Sequence, residues 1–170
     1  VGGAVSMNAG TRDAWIGSLV SDVVTFKEGQ GIKHYAHGDI DWEYRHCSLP
    51  RDEIVLEATL KLESGNKAEI RAKMEQLLSR RRRTQPIGCA TCGSVFKNPP
   101  GNSVGKMIED CGLKGFSVGG AEVSPVHGNF IVNTGTATAA DAVAVIKHVH
   151  EKIREVYGVE LQPEVKFLGF

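Results

Sequence analysis

The chain has 170 residues, of which 41% are hydrophobic and 24% charged. This length suits one globular domain or two small ones, and the composition excludes a disordered or fibrous protein. Its 20 acidic and 20 basic side chains give a formal net charge of zero, so no overall field favours nucleic acid or an anionic membrane as a partner. No apolar run approaches the roughly 20 residues that span a bilayer.

The first residues, VGGA, contain neither a methionine nor a basic segment typical of a signal peptide, which predicts the interior of a longer protein. The four cysteines are scattered and do not form the framework of a secreted disulfide-rich domain. We therefore expect a reducing, cytoplasmic location.

Residues 1–62 are predicted to be mostly β. Short strands are expected over 21–26 and 32–35, separated by a turn that contains two glycines. Over 54–62, apolar residues alternate with largely polar ones, which predicts a half-buried strand.

A helix is predicted to begin at Asn66, where Glu69 completes a capping-box pattern, and to end before Pro86. Four consecutive arginines occupy 80–83, near its end. Their charge suits the negative end of the helix dipole, so they are either a solvated helix end or an anion site for a phosphorylated ligand. Apolar residues recur on this helix at helical spacing: Ile70, Met74, Leu77 and Leu78.

The second half of the chain mixes helices with short strands. A loop is predicted over 87–103, followed by a helix that Asn102 or Ser103 caps and Gly112 ends. A short strand is expected over 130–132.

The last helix has the clearest boundaries, with Thr138 and Asp141 at its start and Gly158 at its end. An extended segment is predicted over 161–170, and the whole pattern predicts an α+β fold. The predicted buried stripe of the last helix is Ala142, Val145, Ile146, Val149, Ile153 and Val156.

The loop over 87–103 contains polar side chains that could take part in catalysis or binding. Ser94 offers a proton-carrying hydroxyl, Lys97 a cation and Asn98 an amide. Loops often carry functional sites, but a merely polar loop is an equally good interpretation.

Cys89 and Cys92 form a CxxC pair in the same loop. A structural zinc site needs four ligands, and no suitably spaced histidine pair completes one. A redox pair would be expected to open a helix in a βαβ unit. Two inert cysteines are therefore favoured over a zinc or thiol redox centre, and no metal is predicted.

Two further candidates lie far apart in the sequence. Arg45, which follows Tyr44, presents either a surface charge or a rigid fork of donors for a carboxylate. Glu164, which follows Pro163, is either a salt-bridge partner or, if it lies near Arg45 and Ser94, part of a proton-handling cluster.

A series of ordered motifs resembles the UDP-N-acetylenolpyruvoylglucosamine reductase family. The start VGGAVSMNAG is similar to its flavin-contacting segment, YRHCS at 44–48 to its Tyr-Arg-x-Ser motif with one departure, and GSVFKNP at 93–99 to its proton-donor motif at every position. CGLKG, GGA, NFIVN and finally LQPEV at 161–165 follow in the family's order. The short path from Lys97 to Leu113 resembles the type II branch.

The resemblance implies an enzyme of peptidoglycan precursor synthesis, in which NADPH reduces a bound FAD that then reduces an enolpyruvyl ether of a UDP-sugar. It implies that Ser94 protonates the substrate, and that Arg45 and Glu164 hold the carboxylate of the intermediate. Substrate contacts are expected from Lys97, Asn98 and, in the arginine run, Arg83, although any arginine of the run could contact a phosphate. The implied flavin contacts are Gly2, Gly3, Ala4, Asn8, Ala9 and Gly10.

The resemblance also implies an architecture. Residues 1–62 would be the rear part of a PCMH-type FAD-binding domain, and 63–170 a small α+β substrate-binding domain. An N-terminal segment of the FAD-binding domain is expected to be a missing partner, without which the chain would be inactive. No nucleic-acid or membrane partner is expected. The alternative is a non-catalytic fragment or module that binds nucleotide sugars.

Overall fold

Two units of the chain each enclose a hydrophobic cluster of their own. The computed structural model describes residues 1–11 and 14–169, and the units are Val1–Asn66 and Lys67–Phe170. Within the described ranges, no helix combines the length and apolar character needed to cross a membrane.

The described residues of unit 1 form one short α-helix, two 3-10 turns (Ile16–Ser18 and His37–Asp39) and five strands. The helix is α1 (Gly2–Ser6), and the strands are β1 (Val20–Lys27), β2 (Gly31–Ala36), β3 (Trp42–Glu43), β4 (His46–Cys47) and β5 (Ile54–Leu60). The predicted strands over 21–26, 32–35 and 54–62 are confirmed within a few residues. The mostly β prediction missed α1, because five residues are too few to show a helical apolar period.

The strands β2, β1 and β5 form an antiparallel sheet in that order. Val23 on β1 lies opposite Ala58 on β5, and Val5 of α1 is fully buried in the same cluster. The small hairpin of β3 and β4 adds Cys47 to this cluster. The short helix thus covers one face of the sheet.

A carboxylate is bound among the strands of this sheet. Glu53, with a side chain only 1% exposed, accepts hydrogen bonds from the Thr25 hydroxyl at 2.6 Å, the Lys33 ammonium at 2.9 Å and the Tyr35 hydroxyl at 3.0 Å. The Thr25 hydrogen bond, followed by that of Lys33, lowers the pKa of Glu53 from its ordinary 4.5 to about 2. The charged carboxylate therefore ties β1 and β2 to the start of β5.

Up to residue 169, unit 2 forms three helices and four strands. In chain order these are α2 (Lys67–Thr84), β6 (Ala90–Ser94), α3 (Val104–Asp110), β7 (Ser117–Val118), β8 (Ala121–Val123), β9 (Phe130–Asn133) and α4 (Ala139–Tyr157). The antiparallel sheet has the order β6-β9-β8-β7. The prediction of a continuous loop over 87–103 was wrong, because Ala90–Ser94 form strand β6, which pairs with β9. Its glycine and cysteine residues are not typical of a strand.

Helix α4 supplies much of the core of unit 2. Its boundaries are confirmed: the Thr138 hydroxyl accepts from the Asp141 N–H, and Gly158 ends the helix with a φ of 67°. The predicted stripe was wrong at Val156, which is 53% exposed because the last turn extends beyond the core. Ala142 is only partly buried. The buried members of the stripe are Val145, Ile146, Val149 and Ile153.

Candidate active site

Ser94 is the last residue of β6, at the edge of the unit 2 sheet. Pairing with β9 shifts register between Thr91, opposite Val132, and Ser94, opposite Phe130. Gly93, inside this irregular stretch, has a φ of 82°, which a residue without a Cβ adopts at little cost. Such a bulge bends a strand and redirects the next side chain, here the half-buried Ser94.

Glu164 lies beside the residue that follows Ser94. Its backbone N–H donates to the Val95 carbonyl at 2.7 Å, and the Lys97 N–H donates to the Gln162 carbonyl at 2.8 Å. Glu164, like Ser94, is half-buried. The fold of unit 2 therefore brings these two predicted residues together by pairing short segments that are distant in sequence.

Asn129, which the sequence analysis did not select, contacts the same segment. Its side chain Oδ1 accepts from the Phe96 N–H at 3.0 Å, and its Nδ2 donates to the Phe96 carbonyl at 2.8 Å. Its backbone carbonyl also accepts from the Val95 N–H at 3.0 Å. The sequence signal that could have identified Asn129 is a polar amide directly before the apolar strand β9. In the structure this residue is only 4% exposed.

Lys97 and Asn98 continue the segment after Ser94. The Asn98 Oδ1 accepts from the Val104 N–H at 3.0 Å, at the first residue of α3. Ser103 occupies the predicted N-cap position, but its side chain makes no capping hydrogen bond. The expected N-cap position at Ser103 is therefore confirmed, but the side chain that accepts from the helix start belongs to Asn98, which precedes the cap in the sequence.

Arg45 lies in unit 1, in the two-residue turn between β3 and β4. Its φ of 57° is left-handed, as the second central residue of a type II turn requires. The guanidinium donates from Nη1 to the Gly10 carbonyl at 3.2 Å and lies 5.1 Å from the centre of the Tyr44 ring. Arg45 is thus held against the segment that the sequence analysis assigned to the flavin.

Within that segment, Asn8 and Gly10 have structural tasks. The Asn8 Nδ2 donates to the Glu43 carbonyl at 2.9 Å, and its Oδ1 accepts from the Gly17 N–H at 3.0 Å. A Cβ at Gly10 would approach the Ala14 carbonyl to 2.6 Å, so no larger residue fits there without a shift. Both residues therefore shape the segment, whatever else they contact.

The first residues of α1 fit a group that is contacted through the backbone. A Cβ added at Gly3 meets nothing within 4 Å, whereas one added at Gly2 meets the Val55 side chain at 3.5 Å, so the start of the helix is open on the side of Gly3. The first N–H groups of a helix have no acceptor within it. Gly2, Gly3 and Ala4 therefore suit an acceptor-rich cofactor such as a flavin nucleotide, with Ala9 half-buried close by in sequence.

Arg83 lies in the last turn of α2 and is exposed. In the same run, the Arg81 Nε donates to the Gln85 Oε1 at 2.9 Å. This placement suits the interaction of cations with a helix C-terminus, and contact with a phosphate stays a prediction.

Cys89 and Cys92 are both exposed and unbonded. Although Cys92 is exposed as a residue, desolvation of its sulfur raises the pKa of the thiol, which lowers the fraction of reactive thiolate. Across residues 1–11 and 14–169, no group of three or more His, Cys, Asp or Glu side chains is arranged to hold a metal ion.

The predicted site residues thus fall into two sets, each placed by its own unit. Unit 2 holds Arg83, Ser94, Lys97, Asn98 and Glu164, whereas unit 1 holds Arg45 and the segment over 2–10.

Comparison with known proteins identifies relatives over nearly the whole chain. A family model described as UDP-N-acetylenolpyruvoylglucosamine reductase, C-terminal domain, matches residues 85–168. The reductase of that name from Caldanaerobacter subterraneus subsp. tengcongensis is 44% identical over 99% of this chain and 56% of its own length. The one from Limosilactobacillus reuteri is also 44% identical, over 99% of this chain and 57% of its own length.

A solved structure supports the same relationship. The crystal structure of UDP-N-acetylenolpyruvylglucosamine reductase from Thermus caldophilus matches with a TM-score of 0.84 and 40% identity, over 97% of this chain and 59% of that one. The chain spans somewhat more than half the length of the curated relatives it matches. Residues 85–168 therefore match the C-terminal domain of the UDP-N-acetylenolpyruvoylglucosamine reductase family, and the chain as a whole is similar to members of that family.

Proposed function

We propose that this chain carries the proton-donating side of a reductase that converts UDP-N-acetylglucosamine enolpyruvate to UDP-N-acetylmuramate, with FAD as cofactor and NADPH as donor. The observation that supports the proposal is the backbone hydrogen bond from Glu164 to the Val95 carbonyl, one residue after Ser94. The names of the relatives support the same reaction. Such a protein would act in the cytoplasm on a small-molecule substrate for peptidoglycan synthesis.

When bound and reduced, FAD would supply a hydride to the methylene carbon of the enolpyruvyl ether. The Ser94 hydroxyl then donates a proton to the neighbouring carbon, so that one hydride and one proton add across the double bond. A serine is a weak acid, but the carbon it faces at that stage is strongly basic. The step therefore depends on the positioning of the hydroxyl more than on its acidity.

Arg45 and Glu164 are proposed to hold the substrate carboxylate of the intermediate, Arg45 by its positive charge and Glu164 by a hydrogen bond donated from its carboxyl group. The guanidinium of arginine is planar, always charged and able to bind a carboxylate through two donors. The Arg45 side chain is already oriented by its hydrogen bond to the Gly10 carbonyl, so it would lose little conformational freedom on binding the substrate. Lys97, Asn98 and Arg83 are proposed to contact the remainder of the substrate.

Gly2, Gly3, Ala4, Asn8, Ala9 and Gly10 are proposed to contribute to the flavin site. Backbone donors at the start of α1 would contact the cofactor, and Asn8 and Gly10 would keep the segment in shape. The remaining contacts are proposed to come from the N-terminal part of the FAD-binding domain, within the portion of the relatives that this chain does not span.

Replacement of Ser94 tests the proposal in a full-length reductase that includes these residues. In Ser94→Ala, NADPH should bleach the flavin at the normal rate, whereas reoxidation by the enolpyruvyl substrate should slow by about 10²- to 10⁴-fold, the usual contribution of a positioned proton donor. Stopped-flow absorbance separates the two half-reactions. Ser103→Ala, at an exposed serine without a capping bond, is the matched control. Unchanged reoxidation in Ser94→Ala would exclude Ser94 as the donor.

Calorimetry separates this proposal from a non-catalytic nucleotide-sugar module. The full-length protein should bind both FAD and a UDP-N-acetylglucosamine derivative. Binding of the sugar nucleotide without any FAD would favour the module.

A further inference from the structure

The segment after Ser94 is held by a side chain on one edge and by backbone on the other. Asn129 satisfies both the N–H and the carbonyl of Phe96, a residue only 2% exposed. On the other edge, the Val95 carbonyl and the Lys97 N–H bond to the segment over 162–164. The ladder with β9 is irregular between Thr91 and Ser94, so the Asn129 amide stands in for regular backbone pairing beyond that bulge.

Only one orientation of the Asn129 amide fits this arrangement. The Phe96 N–H needs an acceptor and its carbonyl needs a donor, which an amide supplies simultaneously. The backbone carbonyl of Asn129 adds a third bond, to the Val95 N–H. A single buried residue therefore fixes the path of the two residues that follow Ser94.

We propose that Asn129 is a positioning residue for proton transfer: its amide sets the Ser94 hydroxyl in register with Glu164 and with the substrate carbon. The inference rests on the proposed role of Ser94. Asn129 does not touch the reacting atoms, but acts through the backbone of 95–96. A misplacement of about 1 Å in such a site can slow a reaction on the order of 10²-fold.

Aspartate at this position makes a sharp test, because it has nearly the same shape. An ionised Asp can still accept from the Phe96 N–H, but its second oxygen faces the Phe96 carbonyl, where Nδ2 now donates at 2.8 Å. A protonated Asp restores one donor and one acceptor. Asn129→Asp should therefore regain function as the pH falls, since burial favours the neutral acid.

The experiment measures both flavin half-reactions of the full-length reductase by stopped flow. In Asn129→Asp at pH 8, we expect normal reduction by NADPH and reoxidation slowed by about 10²-fold. The rate of flavin reoxidation in the variant, divided by that of the wild type at the same pH, should rise as the pH is lowered. Asn133→Asp is the matched control, since Asn133 lies at the other end of β9 and its Oδ1 accepts from the N–H groups of a turn. It should leave reoxidation unchanged.

A double variant tells whether Asn129 works through Ser94. If it does, Ser94→Ala combined with Asn129→Asp should be no slower than Ser94→Ala alone. Additive effects would overturn the positioning role. If Ser94→Ala itself has no effect, the proposed function fails. If Ser94→Ala slows reoxidation while Asn129→Asp leaves it unchanged at all pH values, only the present inference fails.

Amide hydrogen exchange provides a readout that needs no cofactor. In the 170-residue chain carrying Asn129→Ala, which removes the acceptor of the Phe96 N–H, the Phe96 and Glu164 amides should exchange faster than in wild type, while the Val132 amide of β9 stays protected. Equal protection of Phe96 in both proteins would overturn the inference. Should Asn129→Asp not fold, Asn129→Ala, which leaves room for a bridging water, permits the same comparisons.

Discussion

Helices α2 and α4 have nearly the same length, 18 and 19 residues, and both repeat apolar residues at helical spacing. Along α4, Val145 and Ile153 are fully buried, and Ile146 is 9% exposed. Along α2, by contrast, Ile70 is 48% exposed and Met74 is 57% exposed, although their spacing along the chain is also helical.

The difference separates what a sequence pattern encodes from what it leaves open. An apolar stripe indicates that a helix has one hydrophobic face. The burial of that face also requires another surface of the protein that packs against it. Helix α4 finds that surface on strands of its own unit. No residue of α2 is buried by the described part of the chain, so packing there adds little to its stability. Isolated helices of this length are only marginally stable in water.

The largest effect is expected from truncation in the core of α4. Ile153→Ala should destabilise the chain by about 2–5 kcal/mol, because Ile153 is fully buried and its removal leaves a cavity. Urea denaturation followed by circular dichroism measures the change. A loss below about 1 kcal/mol would mean that the core of unit 2 relaxes around the gap, and would weaken the contrast between the helices.

A smaller effect is expected at the start of α4. Thr138→Ala removes the acceptor of the Asp141 N–H, a bond of 3.1 Å, and should cost about 1 kcal/mol. Urea denaturation again provides the measurement, with Thr136→Ala as control, since Thr136 is exposed and lies before the cap. Equal losses in the two variants would show that the capping hydroxyl contributes nothing specific.

The smallest effect is expected in α2. Ile70→Ala makes the same chemical change as Ile153→Ala on a half-exposed side chain, and alanine has the higher helix propensity. The free energy of unfolding should therefore change by less than about 0.5 kcal/mol. A loss comparable with that of Ile153→Ala would show that the α2 stripe is buried in solution.

Sequence reasoning located α4 because its boundaries are local: Thr138, Asp141 and Gly158 act within one helical turn of the ends. It missed β6, since a strand that contains Gly93 and pairs irregularly lacks the alternation of a regular strand. The division of the chain at residue 62 stays a prediction, and the two units of the structure meet at Asn66 and Lys67.

The candidate site shows the same limit. Motif resemblance named Ser94 and Glu164 one by one, yet their adjacency depends on backbone bonds between segments far apart in the sequence. Asn129 was visible only as part of the motif NFIVN, because its task is defined by the backbone of Phe96. The role of each residue in catalysis stays a prediction.

The half-exposed stripe of α2 also bears on how the chain behaves at high concentration. Its formal net charge is zero at pH 7, so the molecules do not repel one another at neutrality. Exposed leucine and methionine side chains then face a solution that offers no electrostatic barrier to self-association. The colloidal stability of this polypeptide is therefore lowest near neutral pH and increases on either side of it.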